Sequence, residues 1–177
     1  MLYKNAFVFD GSDFVRGGFT VEEGRFARVF EGESGEPGLD LEGACVIPGL
    51  VDVHNHGNSG ADFSDGDLEG LKTMGKYLAA NGVTSFAPAS MTLPYEVLAA
   101  AFATAVEYRE ERPEKGARLM GIQMEGPFFS YEKRGAQNPA YLRAPDVQMV
   151  RRLQKEAGGL IKLVDVAPET EGALPFI

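Results

Sequence analysis

Four apolar runs suited to β-strands begin near Val46, Val83, Arg118 and Leu160, with starts 37, 35 and 42 residues apart. Each interval has room for one strand, one amphipathic helix and two short connections. Leu68, Leu71, Met74 and Leu78 line one face of the first helix, which Gly82 ends. Val97, Ala101, Ala105 and Tyr108 line the second, with Pro94 at its opening. The third runs from Pro145 to Glu156 with Val147, Val150 and Leu153 inward, and Gly158-Gly159 stop it. A strand, a crossover helix and a parallel strand form a right-handed unit, so four strands and three helices predict a parallel sheet. Barrels and doubly wound sheets both use that unit. No Gly-x-Gly-x-x-Gly turn follows the first of these strands, and Gly57-Asn-Ser-Gly60 has the wrong spacing, which disfavours a dinucleotide site.

Residues 1–45 have a different rhythm. Apolar stretches at Ala6 to Phe9, Phe19 to Val21 and Phe26 to Phe30 alternate with turn signals at Asp10-Gly11, Gly17-Gly18 and Glu23-Gly24, which predicts a β-meander. A polar stretch from Glu36 to Asp40 separates it from the strand-helix region.

Both histidines of the chain fall in Val51-Asp-Val-His54-Asn-His56-Gly57, where an apolar run ends. In a regular strand Asp52, His54 and His56 share a face, which sets the two imidazoles about 7 Å apart along the strand. At that spacing they can share a metal, flank two, or stand at an exposed strand end. Met124-Glu125-Gly126-Pro127 closes the run from Arg118 in the same way. Gly126 and Pro127 extend a central strand poorly, which predicts a turn there and Glu125 at the strand's carboxyl end. Functional residues of parallel α/β proteins come from such ends, although most single glutamates face water.

These stretches together resemble the amidohydrolase superfamily and, within it, the N-acetylglucosamine-6-phosphate deacetylases. The resemblance rests on Val46-Ile-Pro-Gly-Leu-Val-Asp-Val-His-Asn-His-Gly57, Asn81-Gly-Val-Thr-Ser85, Gln123-Met-Glu-Gly-Pro-Phe128, Lys133-Arg-Gly-Ala-Gln-Asn-Pro139 and Ala167-Pro-Glu169. It implies a TIM (β/α)8 barrel preceded by strands of a small β-sandwich domain. Residues 1–45 are then part of the sandwich, and residues 46–177 the first half of the barrel, ending after the fourth strand. A whole barrel takes about 250 residues. The implied reaction is removal of the acetyl group from N-acetylglucosamine 6-phosphate, giving glucosamine 6-phosphate and acetate.

The resemblance also implies site residues. Glu125 matches the metal-binding glutamate, and His54 and His56 match the His-x-His pair that some members keep for a second metal. One or two divalent ions per intact chain, zinc or iron, suit two imidazoles and a carboxylate. Gln137 and Asn138 stand where the family contacts substrate, many members having histidine at the position of Gln137. Glu169 ends the fourth strand, where it serves either the site or the packing of that turn. The family's two further metal-binding histidines and its general acid-base aspartate are expected beyond residue 177, so these residues alone are expected to be inactive, with uncovered sheet edges that favour association. The intact protein is expected to be a cytoplasmic homodimer. Another amidohydrolase, acting on a cyclic amide or an N-acyl amino acid, is the alternative enzyme, and a non-catalytic fragment the alternative of another class.

Charge and composition narrow the partners. A net charge of −9 argues against nucleic acid, which calls for a basic face, but leaves a small phosphorylated sugar open because local donors hold small anions. No apolar stretch approaches the roughly 20 residues of a membrane span. The start of the chain lacks the pattern of a signal peptide, and the single cysteine, Cys45, cannot form an internal disulfide, both compatible with the cytosol.

Overall fold

Strand β1 (Leu2–Phe9) ends at Asp10, whose carboxylate accepts hydrogen bonds from the Asp13 and Ser12 N–H groups and the Ser12 hydroxyl. Those donors hold the Asp10 carboxyl below its ordinary range. The chain returns as β2 (Phe14–Glu22), turns through Glu23 and Gly24, both at positive φ, and continues as β3 (Arg25–Glu31). Two central residues at positive φ suit the twist of a tight hairpin. These antiparallel strands match the expected meander except at Gly17-Gly18, which is no turn but lies inside β2, where a side chain at Gly17 would meet the Phe30 carbonyl of β3 and one at Gly18 the Tyr3 carbonyl of β1. A fourth strand, β4 (Leu39–Val46), is not foreseen by that reading; it pairs parallel to β1, giving the order β3-β2-β1-β4. Ala6, Val8 and Phe19 form the small core of this unit, with Tyr3, Val21, Leu41 and Val46 packed on it.

The computed structural model describes residues 1–177 and separates Met1–Pro48 from Gly49–Ile177. The strand expected from Val46 begins instead at Leu50. Val46 is the last residue of β4, paired with Val8, and Pro48, which has no N–H to give a ladder, interrupts the apolar run.

The second unit is built from β5 (Leu50–Asn55), the two-residue strands β6 (Gly57–Asn58) and β7 (Ala61–Asp62), α1 (Leu68–Ala80), β8 (Val83–Pro88), α2 (Tyr95–Glu110), β9 (Arg118–Leu119), β10 (Ile122–Phe128), α3 (Val147–Glu156), β11 (Ile161–Val166) and the short α4 (Ala173–Phe176). The pairs β5–β8, β8–β9 and β10–β11 are all parallel, and a bridge between Ala89 and Gln123 connects the two ladders. The third expected strand is therefore in two pieces, with Met120-Gly121 between them. β5 and β11 each have one hydrogen-bonded neighbour, and Leu50, Val51 and Val53 on β5 are exposed.

Burial along β10 alternates: Ile122 and Met124 are fully covered, whereas Gln123 and Glu125 are only partly so. One face of the strand packs beneath the helices and the other carries the polar groups. Helix α1 buries Leu71, Met74 and Leu78, as its periodicity predicts. Helix α2 buries Leu98, Ala101, Phe102, Ala105 and Tyr108, so Val97 is exposed where the expected stripe had it inward. Apolar residues occur on every side of this helix, and spacing alone does not select the face. In α3 the inward residues are Met149 and Leu153. Asp146 caps the helix by accepting from the Gln148 and Met149 N–H groups, leaving Val147 exposed in the first turn and Val150 half-buried. No helix is long and apolar enough to cross a membrane.

Tyr108 fastens α2 to its neighbours. Its ring meets Phe86 edge-on at 5.7 Å, its hydroxyl donates to the Ala117 carbonyl at 2.7 Å, and burial pushes its pKa up to about 12. The hydroxyl lies against Gly75 of α1, where a Cβ would stand 2.0 Å from the Tyr108 oxygen. Gly75→Ala should therefore destabilise the protein by about 1–3 kcal/mol despite alanine's better helix propensity, because overpacking outweighs the roughly 1 kcal/mol gained in the helix. Urea unfolding of the variant checks this, with an unchanged or raised midpoint as the contrary result.

Candidate metal centre

The polar ends of β5 and β10 are both irregular. Along β5 and β8, Asp52 pairs with Phe86 and Asn55 with Pro88, so β5 carries one residue more than its partner in this interval. Asp52 organises the irregularity: one carboxylate oxygen accepts from the His54 N–H at 3.0 Å and the other from the Asn55 side chain at 3.1 Å. His56 lies beyond the strand end. Regular alternation from Asp52 to His56 is thus broken, and the imidazole rings come to 5.0 Å centroid separation, edge to face, closer than a straight strand gives.

On β10 the strand does not end at Glu125, as the sequence predicts, but runs to Phe128. Met124 pairs with Val164 and Phe128 with Val166, so two residues of β10 are extra, and Glu125-Gly126-Pro127 fall in the bulge. Gly126 is required there: its φ is +80°, and a Cβ would lie 2.1 Å from the Thr92 hydroxyl oxygen.

The two irregularities bring three groups together. Glu125 Oε2 is 3.1 Å from His56 Nε2 and 3.4 Å from His54 Nε2, and the candidate ligand atoms of the three residues all lie within 4.8 Å of one another. Ligand bonds of about 2.0–2.2 Å around a tetrahedral ion put neighbouring ligand atoms roughly 3.3–3.6 Å apart, close to both separations.

Hydrogen bonding settles what those atoms offer. His56 Nδ1 is 3.0 Å from the Ala89 carbonyl oxygen, which can only accept, so the neutral ring holds its proton on Nδ1 and offers a lone pair at Nε2. His54 Nδ1 is 3.0 Å from Gln123 Oε1, and Gln123 Nε2 donates to Asp165 Oδ2 at 2.7 Å. Glu125 divides its carboxylate. Oε1 accepts from Gln137 Nε2 at 2.7 Å, whereas Oε2 is buried and has no hydrogen-bond donor. Two imidazole nitrogens and a carboxylate oxygen without a partner therefore converge, an arrangement that suits a bound cation.

Gln137, expected at the substrate, has its amide engaged within the protein. It is buried; its Oε1 accepts from the Thr92 N–H at 2.7 Å, which fixes the amide orientation and directs the NH2 at Glu125. Asn138 is exposed and caps the short turn Pro139–Tyr141, its Oδ1 accepting from the Ala140 N–H. Glu169 lies in the turn after β11. Its own N–H and the Ser130 hydroxyl hold its carboxyl below the ordinary range, so it serves the turn rather than the cluster. Gln123 and Asp165 escaped the sequence reading. Their available signals were a polar residue two positions before Glu125, hence on its face, and a lone acid within the apolar strand Ile161–Val166.

Known proteins resemble this chain over most of its length. No protein-family model matches. The N-acetylglucosamine-6-phosphate deacetylase of Bacillus subtilis is 33% identical over 178 residues, covering 97% of this chain and 45% of the relative. An N-acetylgalactosamine-6-phosphate deacetylase of Escherichia coli O157:H7 is 32% identical over 138 residues, or 78% of this chain and 36% of the relative. A mutant N-acetyl-D-glucosamine-6-phosphate deacetylase of Mycobacterium smegmatis, solved in complex with N-acetyl-D-glucosamine-6-phosphate, superposes with a TM-score of 0.86 at 28% identity, covering 99% of this chain and 45% of that one. The chain thus spans less than half the length of the relatives it matches. Over nearly all of its own length it is homologous to the N-terminal portion of N-acetylglucosamine-6-phosphate deacetylases, and it has their amidohydrolase fold.

Proposed function

We propose that this protein is a metal-dependent hydrolase that removes the acetyl group from N-acetylglucosamine 6-phosphate, and that His54, His56 and Glu125 hold its divalent ion. The observation that carries the reading is the convergence of two imidazole nitrogens and an orphaned carboxylate oxygen. Zn(II) or Fe(II) suits that donor set, with one or two ions per intact chain. When bound, such an ion lowers the pKa of its water to near 7 and polarises an amide carbonyl.

The chain's own residues supply the setting. Ala89 and Gln123 orient the rings; Gln137 turns one oxygen of Glu125 away and leaves the other for the ion. The NH2 of Asn138, on the exposed loop after Glu125, is the donor assigned to the sugar. In this reading the unit Met1–Pro48 belongs to a small β-sandwich domain and Gly49–Ile177 to a (β/α)8 barrel, and the active protein is a homodimer. Within these 177 residues the carboxylates nearest the cluster are committed: Asp52 to His54 and Asn55, Asp165 to Gln123, and Glu125 to Gln137. This reading gives none of the three the task of carrying a proton between water and the leaving amine, a role worth about 100-fold to 10,000-fold in rate.

The test is acetate release by the intact gene product with added Zn(II) or Fe(II), using N-acetylglucosamine 6-phosphate, N-acetylgalactosamine 6-phosphate and an N-acyl amino acid. Turnover of a sugar phosphate supports the proposal, and turnover of the amino acid alone overturns it. The 177-residue chain assayed separately should bind metal yet release acetate at least about 100-fold more slowly than the intact protein. Elemental analysis of His54→Ala/His56→Ala should show loss of bound metal, and unchanged stoichiometry would remove the pair from the site.

A second expectation concerns Glu125 and Gln137. Glu125→Gln removes the anionic ligand, whereas Gln137→Ala leaves that ligand present but unheld, so the first change should weaken metal binding more. Loss of an outer partner typically costs about 10-fold to 100-fold in metal affinity. Chelator competition measures both, and a Gln137→Ala protein with wild-type affinity would return that residue to the substrate.

A further inference from the structure

Gln123 and Glu125 are two positions apart on β10, and Leu163 pairs with Gln123 in the parallel ladder to β11. Asp165, two positions after Leu163, therefore presents its side chain on the same face as both. From β11 it reaches Gln123 on β10, and Gln123 reaches His54 on β5. The chain of contacts is Asp165 Oδ2 to Gln123 Nε2 at 2.7 Å and Gln123 Oε1 to His54 Nδ1 at 3.0 Å.

We propose that Asp165 and Gln123 are positioning residues that fix the tautomer of His54 and thereby make it a metal ligand, an inference that rests on reading His54, His56 and Glu125 as the metal site. An amide side chain can present either its oxygen or its nitrogen, so Gln123 alone imposes nothing on an imidazole. An ionised carboxylate can only accept. Asp165 therefore draws the Gln123 NH2 toward itself and turns the Gln123 oxygen to His54. That oxygen also only accepts, so in the neutral ring the His54 proton is called to Nδ1, and Nε2, which faces Glu125, is the nitrogen left to bind an ion. The direction of one hydrogen bond thus passes through the amide to the ring.

His56 provides an internal contrast. Its Nδ1 faces the main-chain carbonyl of Ala89, which no side-chain substitution reverses. The two rings should therefore respond differently when the carboxylate at position 165 is neutralised.

The experiment uses 15N-labelled protein and its isosteric variant Asp165→Asn. Long-range proton-nitrogen correlation reads the tautomer of each imidazole under conditions in which both rings are neutral, and chelator competition reads Zn(II) affinity. The chain has two histidines, so both are resolved. The wild type should show Nδ1–H on both rings. In Asp165→Asn, His54 should acquire Nε2–H character while His56 does not, and Zn(II) affinity should fall about 10-fold or more. The double variant Gln123→Glu/Asp165→Asn reverses the arrangement chemically, with a carboxylate accepting from His54 and an amide donating to it. It should recover the His54 tautomer and most of the affinity, which a merely structural role for Asp165 does not predict. An unchanged His54 tautomer with affinity within about twofold in Asp165→Asn would overturn the inference. A wild-type protein that binds no Zn(II) would instead overturn the metal reading, while the tautomer spectra would still decide whether Asp165 governs His54.

Discussion

The division of one carboxylate between two kinds of partner governs the site. Glu125 gives Oε1 to the Gln137 amide and keeps Oε2 buried against two imidazoles. A carboxylate free to rotate would lie toward solvent or chelate an ion through both oxygens. Here a neutral donor occupies one oxygen without competing electrostatically for the ion. Gln137 can do this because Thr92 offers it a main-chain N–H, and the same Thr92 approaches Gly126 too closely for any side chain at that position. The loop that brings Gln137 home, the bulge that turns Glu125 and the glycine that permits the bulge are one steric solution.

Bulges rather than regular strands set the geometry. A straight β5 would hold the imidazoles at the strand repeat of about 7 Å, and a straight β10 would pass Glu125 by without the turn at Gly126. The extra residue in β5 and the two in β10 shorten the first distance and aim the second group. Asp52, which a regular strand would place on the face of His54 and His56, serves this purpose by holding the His54 N–H and the Asn55 side chain. Its position in the chain looks catalytic, yet its two oxygens are structural.

The alternation of strands and helices was readable because it depends on apolar periodicity, and so were the three converging polar residues, each near the polar end of an apolar run. What the periodicity did not carry were features decided by partners distant in sequence. Val46 reads as the start of one strand and is the end of another because Val8 pairs with it. Val97 reads as core in a helix whose apolar residues surround it, and packing against Gly75 and Phe86 selects the face that holds Tyr108 instead. Gln137 was recognisable as a residue of the site, but its contacts follow from where the loop returns. Gln123 and Asp165 lie on adjacent strands but 42 residues apart in the chain, and no local pattern reports which way an amide faces.

The two imidazoles reach the same tautomer by physically different routes. His56 is oriented by a main-chain carbonyl, so its lone pair is a property of the fold and persists as long as Ala89 holds its place beside β5. His54 is oriented by an amide whose own orientation is borrowed from a carboxylate, so its lone pair is a property of two side chains. His54 is also the more exposed ring, at 49% against 32% for His56. An exposed ring has water as an alternative partner, which lowers the cost of the wrong tautomer and makes a directional restraint more consequential. The acceptor-only end of the chain, Asp165, is therefore needed where solvent is nearest, whereas the more covered ring needs no more than the backbone.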